Sequence, residues 1–163
     1  MDLQSVEASG QKVDEMVNAI IGNTTLELDN YLTQVRTCFL AQQEISDDSL
    51  NRIMLQIPVH LYPLIVLAQQ IEMRKGVAKE QAAYTENDAL LTATGTVQEK
   101  KAKAENQTAE DRLIQLAYTT AASIISRKID GATAVLDSVK KVMANRTKEK
   151  VLTNMAGNAV GAF

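Results

Sequence analysis

Aromatic residues, glycine, proline, cysteine and histidine are all scarce in this chain of 163 residues. Tryptophan is absent, so rings come from Phe39, Phe163 and four tyrosines. Seven glycines and two prolines leave few residues able to punctuate a succession of short strands, which argues against all-β architecture. With one cysteine, Cys38, no intrachain disulfide can form, and with one histidine, His60, no zinc site can be built from imidazole and thiolate alone. No metal and no cofactor is expected. The N-terminus, Met1-Asp2-Leu3-Gln4, lacks the basic and then apolar stretches of a secretory signal. The apolar run from Leu61 to Ala68 falls far short of the ~20 residues that span a bilayer. These absences lead us to expect a soluble protein of a reducing cytoplasm, neither secreted nor membrane-bound.

What is present is helical periodicity. At 45% hydrophobic and 23% charged residues the composition is that of a globular chain with one domain's worth of length. Val6, Val13, Met16, Val17, Ile20 and Ile21 recur at helical spacing until Gly22-Asn23, and Leu28, Tyr31, Leu32, Val35, Phe39 and Leu40 repeat it until Gln42-Gln43-Glu44. Ser46, with Asp47 and Asp48 behind it, reads as the N-cap of a short helix through Leu50, Ile53, Met54 and Ile57, closed by Pro58. A heptad-like seam follows: Leu64, Ala68, Ile71, Lys75, Ala78, Ala82, Thr85 and Ala89. Thr92-Ala93-Thr94-Gly95-Thr96 interrupts it with the residues of a tight connection. Beyond, Ile114, Tyr118, Ala121, Ile125, Ile129, Ala132, Leu136, Val139 and Met143 mark one long helix, with no proline from Val97 to Lys150. The expected fold is all-α: an acidic helical N-terminal region over 1–57, a long antiparallel helical hairpin over 58–152 connected near 92–96, and a flexible tail over 153–163. Two long helices that each bury a single stripe leave apolar surface for sister copies to cover, so a homo-oligomer is expected; a compact monomeric bundle, with residues 1–57 folded back onto the hairpin, is the competing expectation.

Charge is unevenly distributed. Residues 1–70 hold three basic and nine acidic side chains, a balance of -6, whereas 71–163 hold fourteen and eleven, a balance of +3. No phosphate-cradling glycine-rich loop occurs, His60 and Cys38 sit among apolar neighbours as packing residues, and Asp47-Asp48 and Glu110-Asp111 read as first-turn or solvated carboxylates. Nothing in this inventory points to an enzyme. The surviving chemical feature is a set of cations, Arg74, Lys75 and Lys79 on the first long helix and Lys100, Lys101 and Lys103 on the second. Such groups can follow a phosphodiester backbone without reading bases. Lys75 stands in the apolar seam, so it belongs either to a helix-packing edge or to a site. Tyr84 is the only ring among residues 71–117, which leaves little for base stacking and makes binding depend on many weak copies.

One resemblance is carried by the succession Ile71-Glu72, Val77-Ala78-Lys79, Tyr84, Gly95-Thr96, Lys101-Ala102-Lys103-Ala104-Glu105, Ser126-Arg127-Lys128-Ile129-Asp130 and Val135 to Arg146. Over roughly residues 65–148 the chain resembles phage recombination mediators of the UvsY type. The resemblance implies a small helical protein that assembles into a ring, binds single-stranded DNA and helps a RecA-like recombinase displace single-strand-binding protein during DNA recombination and repair in a phage-infected or bacterial cell. It gives Arg74, Lys75 and Lys79 the DNA contacts, to which the charge pattern adds Lys100, Lys101 and Lys103. It gives Val135, Leu136, Val139, Val142 and Met143 the oligomerisation role. A second class, a non-enzymatic virion, filament or scaffold protein that self-assembles, accounts for the same apolar stripes with the lysines merely solvated. A third is an adaptor that takes a partner helix on the stripe between 28 and 40.

Overall fold

The computed structural model describes residues 3–41 and 45–160, with the side chains of 156–160 left aside. All of its regular structure is helix: α1 (Leu3–Ile21), α2 (Leu26–Leu40), α3 (Asp47–Thr92) and α4 (Val97–Val160), with no strand among the described residues. The two long helices, α3 and α4, pack together.

Two compact units share these helices. Among the described residues, one joins 3–25 to 64–127 and the other joins 26–63 to 128–160. Each unit is therefore a three-helix arrangement made of one short helix and a segment of each long one.

In the first unit the core takes Val13, Val17 and Ile21 from α1, Leu64, Ile71, Ala78, Ala82 and Ala89 from α3, and Ala104, Thr108, Ala117, Ala121 and Ile125 from α4. The seam read from the sequence of α3 is the face that is buried. Towards the turn it becomes alanine-rich, and alanine's lack of side-chain bulk lets two helix backbones approach closely. α1 ends where Gly22 takes φ +54, a conformation available to glycine without steric cost, and the Gly22 N–H donates to the Asn18 carbonyl at 2.8 Å.

In the second unit Leu28 and Val35 of α2 meet Leu50, Ile53, Ile57 and Leu61 of α3 and Ala132 and Val139 of α4. Ion pairs surround this core. Lys128 bonds Asp29 with Nζ to Oδ1 at 2.6 Å, Arg146 bonds Asp47 at 2.9 Å and the carbonyl of Ile45 as well, and Lys150 bonds the other oxygen of Asp47. Two carboxylates of the acidic first third, Asp29 and Asp47, thus meet three cations of the C-terminal segment within a single unit. Lys150 first, and then Arg146, holds the Asp47 carboxyl below its ordinary range.

Four expectations are corrected. Pro58 does not close a helix: α3 runs through both Pro58 and Pro63. Each interior proline costs about 3 kcal/mol or more in a helix. Here a continuous buried stripe, Leu50, Ile53, Ile57, Leu61 and Leu64, lies on both sides of Pro58, and each fully buried Leu or Ile returns about 1.5–3 kcal/mol. The rings themselves lie on the exposed side. Cys38 is exposed, as are Phe39 and Leu40, because the last turn of α2 extends past its core contact at Val35. Val6 is also exposed, ahead of the first buried residue of α1. Finally, α4 continues to Val160, well into the stretch where the sequence lacks period; residues 161–163 lie outside the described residues.

Candidate nucleic-acid interface

The six cations singled out in the sequence all belong to the first unit, on α3 and α4 either side of their connecting turn. That turn is fixed by local chemistry. Gly95 has φ +119, a backbone conformation that strains any residue with a side chain, and a Cβ there would also displace Oε2 of Glu99. Thr96 caps α4: its hydroxyl accepts from the Glu99 N–H at 3.4 Å, while Glu99 Oε2 accepts from the Thr96 N–H at 2.7 Å and its hydroxyl at 3.0 Å. These bonds, the backbone one first, hold the Glu99 carboxyl below its ordinary range. Glu99 was not among the candidates, although the spacing Thr-x-x-Glu just ahead of a helix is the signal that finds it.

The helical pitch sorts the cations by face. Glu86 and Arg112 bridge α3 to α4 at 3.3 Å and mark one flank of the helix pair. Lys79 lies seven residues before Glu86 and Lys75 eleven, which are nearly whole numbers of turns, so both share that flank; Lys101, eleven residues before Arg112, shares it from α4. Arg74 is five residues from Lys79, about 140° around the helix, and Lys103 is two from Lys101, about 200° around. Lys75, Lys79 and Lys101 therefore share a flank while Arg74 and Lys103 face elsewhere, and the three are strung along it: Lys79 and Lys75 lie about 10 and 16 Å from the bridge on the side away from the turn, and Lys101 about 16 Å from it on the side towards the turn. Lys100 is half-buried beside the turn.

Their partners differ too. Lys75 resolves the question of a cation in an apolar seam by sitting half-buried at the packing edge, with Nζ 3.1 Å from Glu72 one turn back. Lys103 donates to the Thr94 carbonyl at 3.3 Å, a further brace on the turn. Arg74, Lys79, Lys100 and Lys101 have no carboxylate within ion-pair reach among the described residues. Along α3 and α4 of this unit, 64–127, eight basic residues face eight acidic ones, so the field is patchy rather than uniformly positive.

The residues given an oligomerisation role lie in the second unit. Val139 is only 1% exposed and packs in that unit's own core. Val135, Leu136 and Met143 are half-buried, and Val142 faces outward.

Among the described residues, no group of three His, Cys, Asp or Glu side chains is placed to hold a metal ion. His60 stacks on Tyr31 with ring centroids 4.9 Å apart, and burial is the main influence raising the Tyr31 phenol above its ordinary range. α3 contains an 18-residue window of mean hydropathy 1.3, long and apolar enough by length and composition to cross a membrane. Part of that apolarity is accounted for by buried Ile57, Leu61 and Leu64, and part by exposed Leu55, Val59, Tyr62 and Ile65. Comparison with protein-family models, with curated proteins and with solved structures finds no significant match to this chain.

Proposed function

We propose that this protein is a non-enzymatic recombination mediator that binds single-stranded DNA through its phosphates as a homo-oligomeric ring and helps a RecA-like recombinase replace single-strand-binding protein. The reading is supported by the flank of the first unit along which Lys75, Lys79 and Lys101 are strung out, as phosphates are along a strand, with Lys79 and Lys101 free of internal ion pairs among the described residues. By contrast, the second unit uses Lys128, Arg146 and Lys150 on its own carboxylates. Because basic and acidic residues balance over 64–127, each copy holds the strand weakly. Several copies in one assembly then supply avidity through effective concentration while each contact stays reversible. Reversibility is what a loader needs, since a tight base-stacking grip would compete with the recombinase.

The test is fluorescence anisotropy of a labelled oligothymidylate at low and high salt, with light scattering on the same samples. Binding at low salt that vanishes at high salt, on particles larger than a monomer, supports the mediator. Assembly that ignores the oligonucleotide supports the second reading, a self-assembling structural protein. The observation favouring that alternative is the exposure of Leu55, Val59 and Tyr62, spaced by four and three residues on one face of α3.

A further inference from the structure

The first unit carries a second apolar seam with nothing on it. Its buried α3 seam reads 71, 75, 78, 82, 85, 89; adding two residues to each gives Met73, Val77, Glu80, Tyr84, Asn87 and Leu91, with the same four-three spacing about 200° around the helix. Met73 and Val77 are each 66% exposed, Tyr84 70% and Leu91 84%, values that make this an outward face and not a core edge. Beside it runs Gly76, whose missing Cβ would meet nothing within 4 Å. An exposed glycine inside a helix costs about 1 kcal/mol relative to alanine, and no contact among the described residues calls for it. Together with Met73, Val77, Glu80, Gln81 and Tyr84 it lines a shallow depression.

The charges bordering the seam say what covers it. One border is Arg74, Gln81 and Asp88, at seven-residue spacing, and neither Arg74 nor Asp88 has an ion-pair partner among the described residues. The other border is Gly76, Ala83 and Leu90, small or apolar throughout. We propose that this face of α3 pairs with the same face of a second copy, antiparallel about Gln81. In that register Arg74 of each copy meets Asp88 of the other, twice. Met73 packs against the facing Leu91, the Tyr84 hydroxyl donates to the facing Glu80, and Leu90 fills the space over Gly76. A parallel pairing instead sets Glu80 beside Glu80 in the seam and leaves both border charges unmatched, so the charges select the antiparallel one. Arg74 is thereby a pairing residue, consistent with its position away from the Lys75, Lys79 and Lys101 flank. The interface needs no nucleic acid, and it rests on the charges of this face and not on the mediator's DNA contacts.

Sedimentation of the full chain without DNA tests it. Wild type is expected to show a concentration-dependent doubling step. Val77→Glu removes that step while circular dichroism stays helical, because the side chain is outside the core. Arg74→Asp and Asp88→Arg each raise the dissociation constant of that step about tenfold or more. The combined swap R74D/D88R restores it, since the two sites lie about 21 Å apart on one helix and can pair only across copies. A doubling step unchanged by Val77→Glu, its absence in wild type, or a double swap no better than the single changes overturns the interface. Oligonucleotide binding is read separately: a doubling step that survives Val77→Glu or the charge changes counts against this interface alone, whereas a wild type that stays monomeric counts against the ring as well.

Discussion

Replacing Lys75, Lys79 and Lys101 together by glutamine removes three cations from one flank of the first unit without touching its core. For single-stranded nucleic acid, each phosphate contact contributes about 0.7 to the slope of log affinity against log salt. Three contacts correspond to a slope change of about 2. At about 0.1 M salt this is a loss of about 100-fold in affinity, shrinking towards none as the salt approaches about 1 M, where the wild-type and variant lines converge. The assay is anisotropy of a labelled oligothymidylate over a salt series, with circular dichroism to verify the fold. Lys103→Gln is the control, because its ammonium braces the Thr94 carbonyl on a different face. A parallel displacement of the lines without a change of slope, or a Lys103→Gln loss equal to the triple variant's, would refute the assignment of this flank to phosphate binding.

Thr108 is the buried polar side chain among the described residues, and its hydroxyl donates to the Ala104 and Glu105 carbonyls of its own helix at 2.9 and 3.3 Å. Both carbonyls already accept helical N–H groups, so Thr108→Val orphans no partner and is expected to be neutral or up to about 1 kcal/mol more stable. Thr108→Ala loses a packed methyl as well and should cost about 1 kcal/mol; urea midpoints at constant m-value decide between them, and a valine variant weaker than the alanine one contradicts the account. Asp47 supplies a pH test. Its folded-state pKa is depressed by Lys150 and Arg146, so its contribution is present above the unfolded value of about 4 and is lost as pH falls through the folded value. Asp47→Asn should therefore be less stable than wild type near neutrality, with the gap closing on acidification below about pH 4. A gap that is constant with pH excludes the ion pairs as its origin.

Much of the helical pattern is legible in the residues because it is local. The α3 seam from Leu64 to Ala89, the Gly22 stop, the Ser46 cap, whose hydroxyl accepts from the Ser49 N–H at 3.2 Å, and the Gly95 connection each follow from periodicity or from one residue's conformational preference. Pro58 was misleading for an equally physical reason. A proline's cost is local, whereas the burial that outweighs it is gathered from residues on both sides and becomes visible only once the helix has something to pack against. Cys38 shows the same dependence on what lies beyond its neighbours, and Val139 adds to it. Apolar neighbours made Cys38 look internal although α2 has no cover there, and Val139, given an oligomerisation role only by resemblance, is enclosed by its own unit.

For the candidate site, the residue types were readable but their grouping was not. Six cations in two runs look like one patch on paper. Only the 100° step of each helix, anchored by the Glu86–Arg112 bridge, separates Lys75, Lys79 and Lys101 from Arg74 and Lys103. The chain by itself determined the helical segments apart from the break placed at Pro58, the position of the turn and an opposition of charge between its ends, because these depend on neighbours within a few residues. Tertiary structure alone decided that Asp29 and Asp47 spend the basic C-terminal segment internally, and that α3 keeps one seam covered and the other open. Those outcomes depend on which surfaces meet across 100 residues of chain, and helical periodicity carries no record of that.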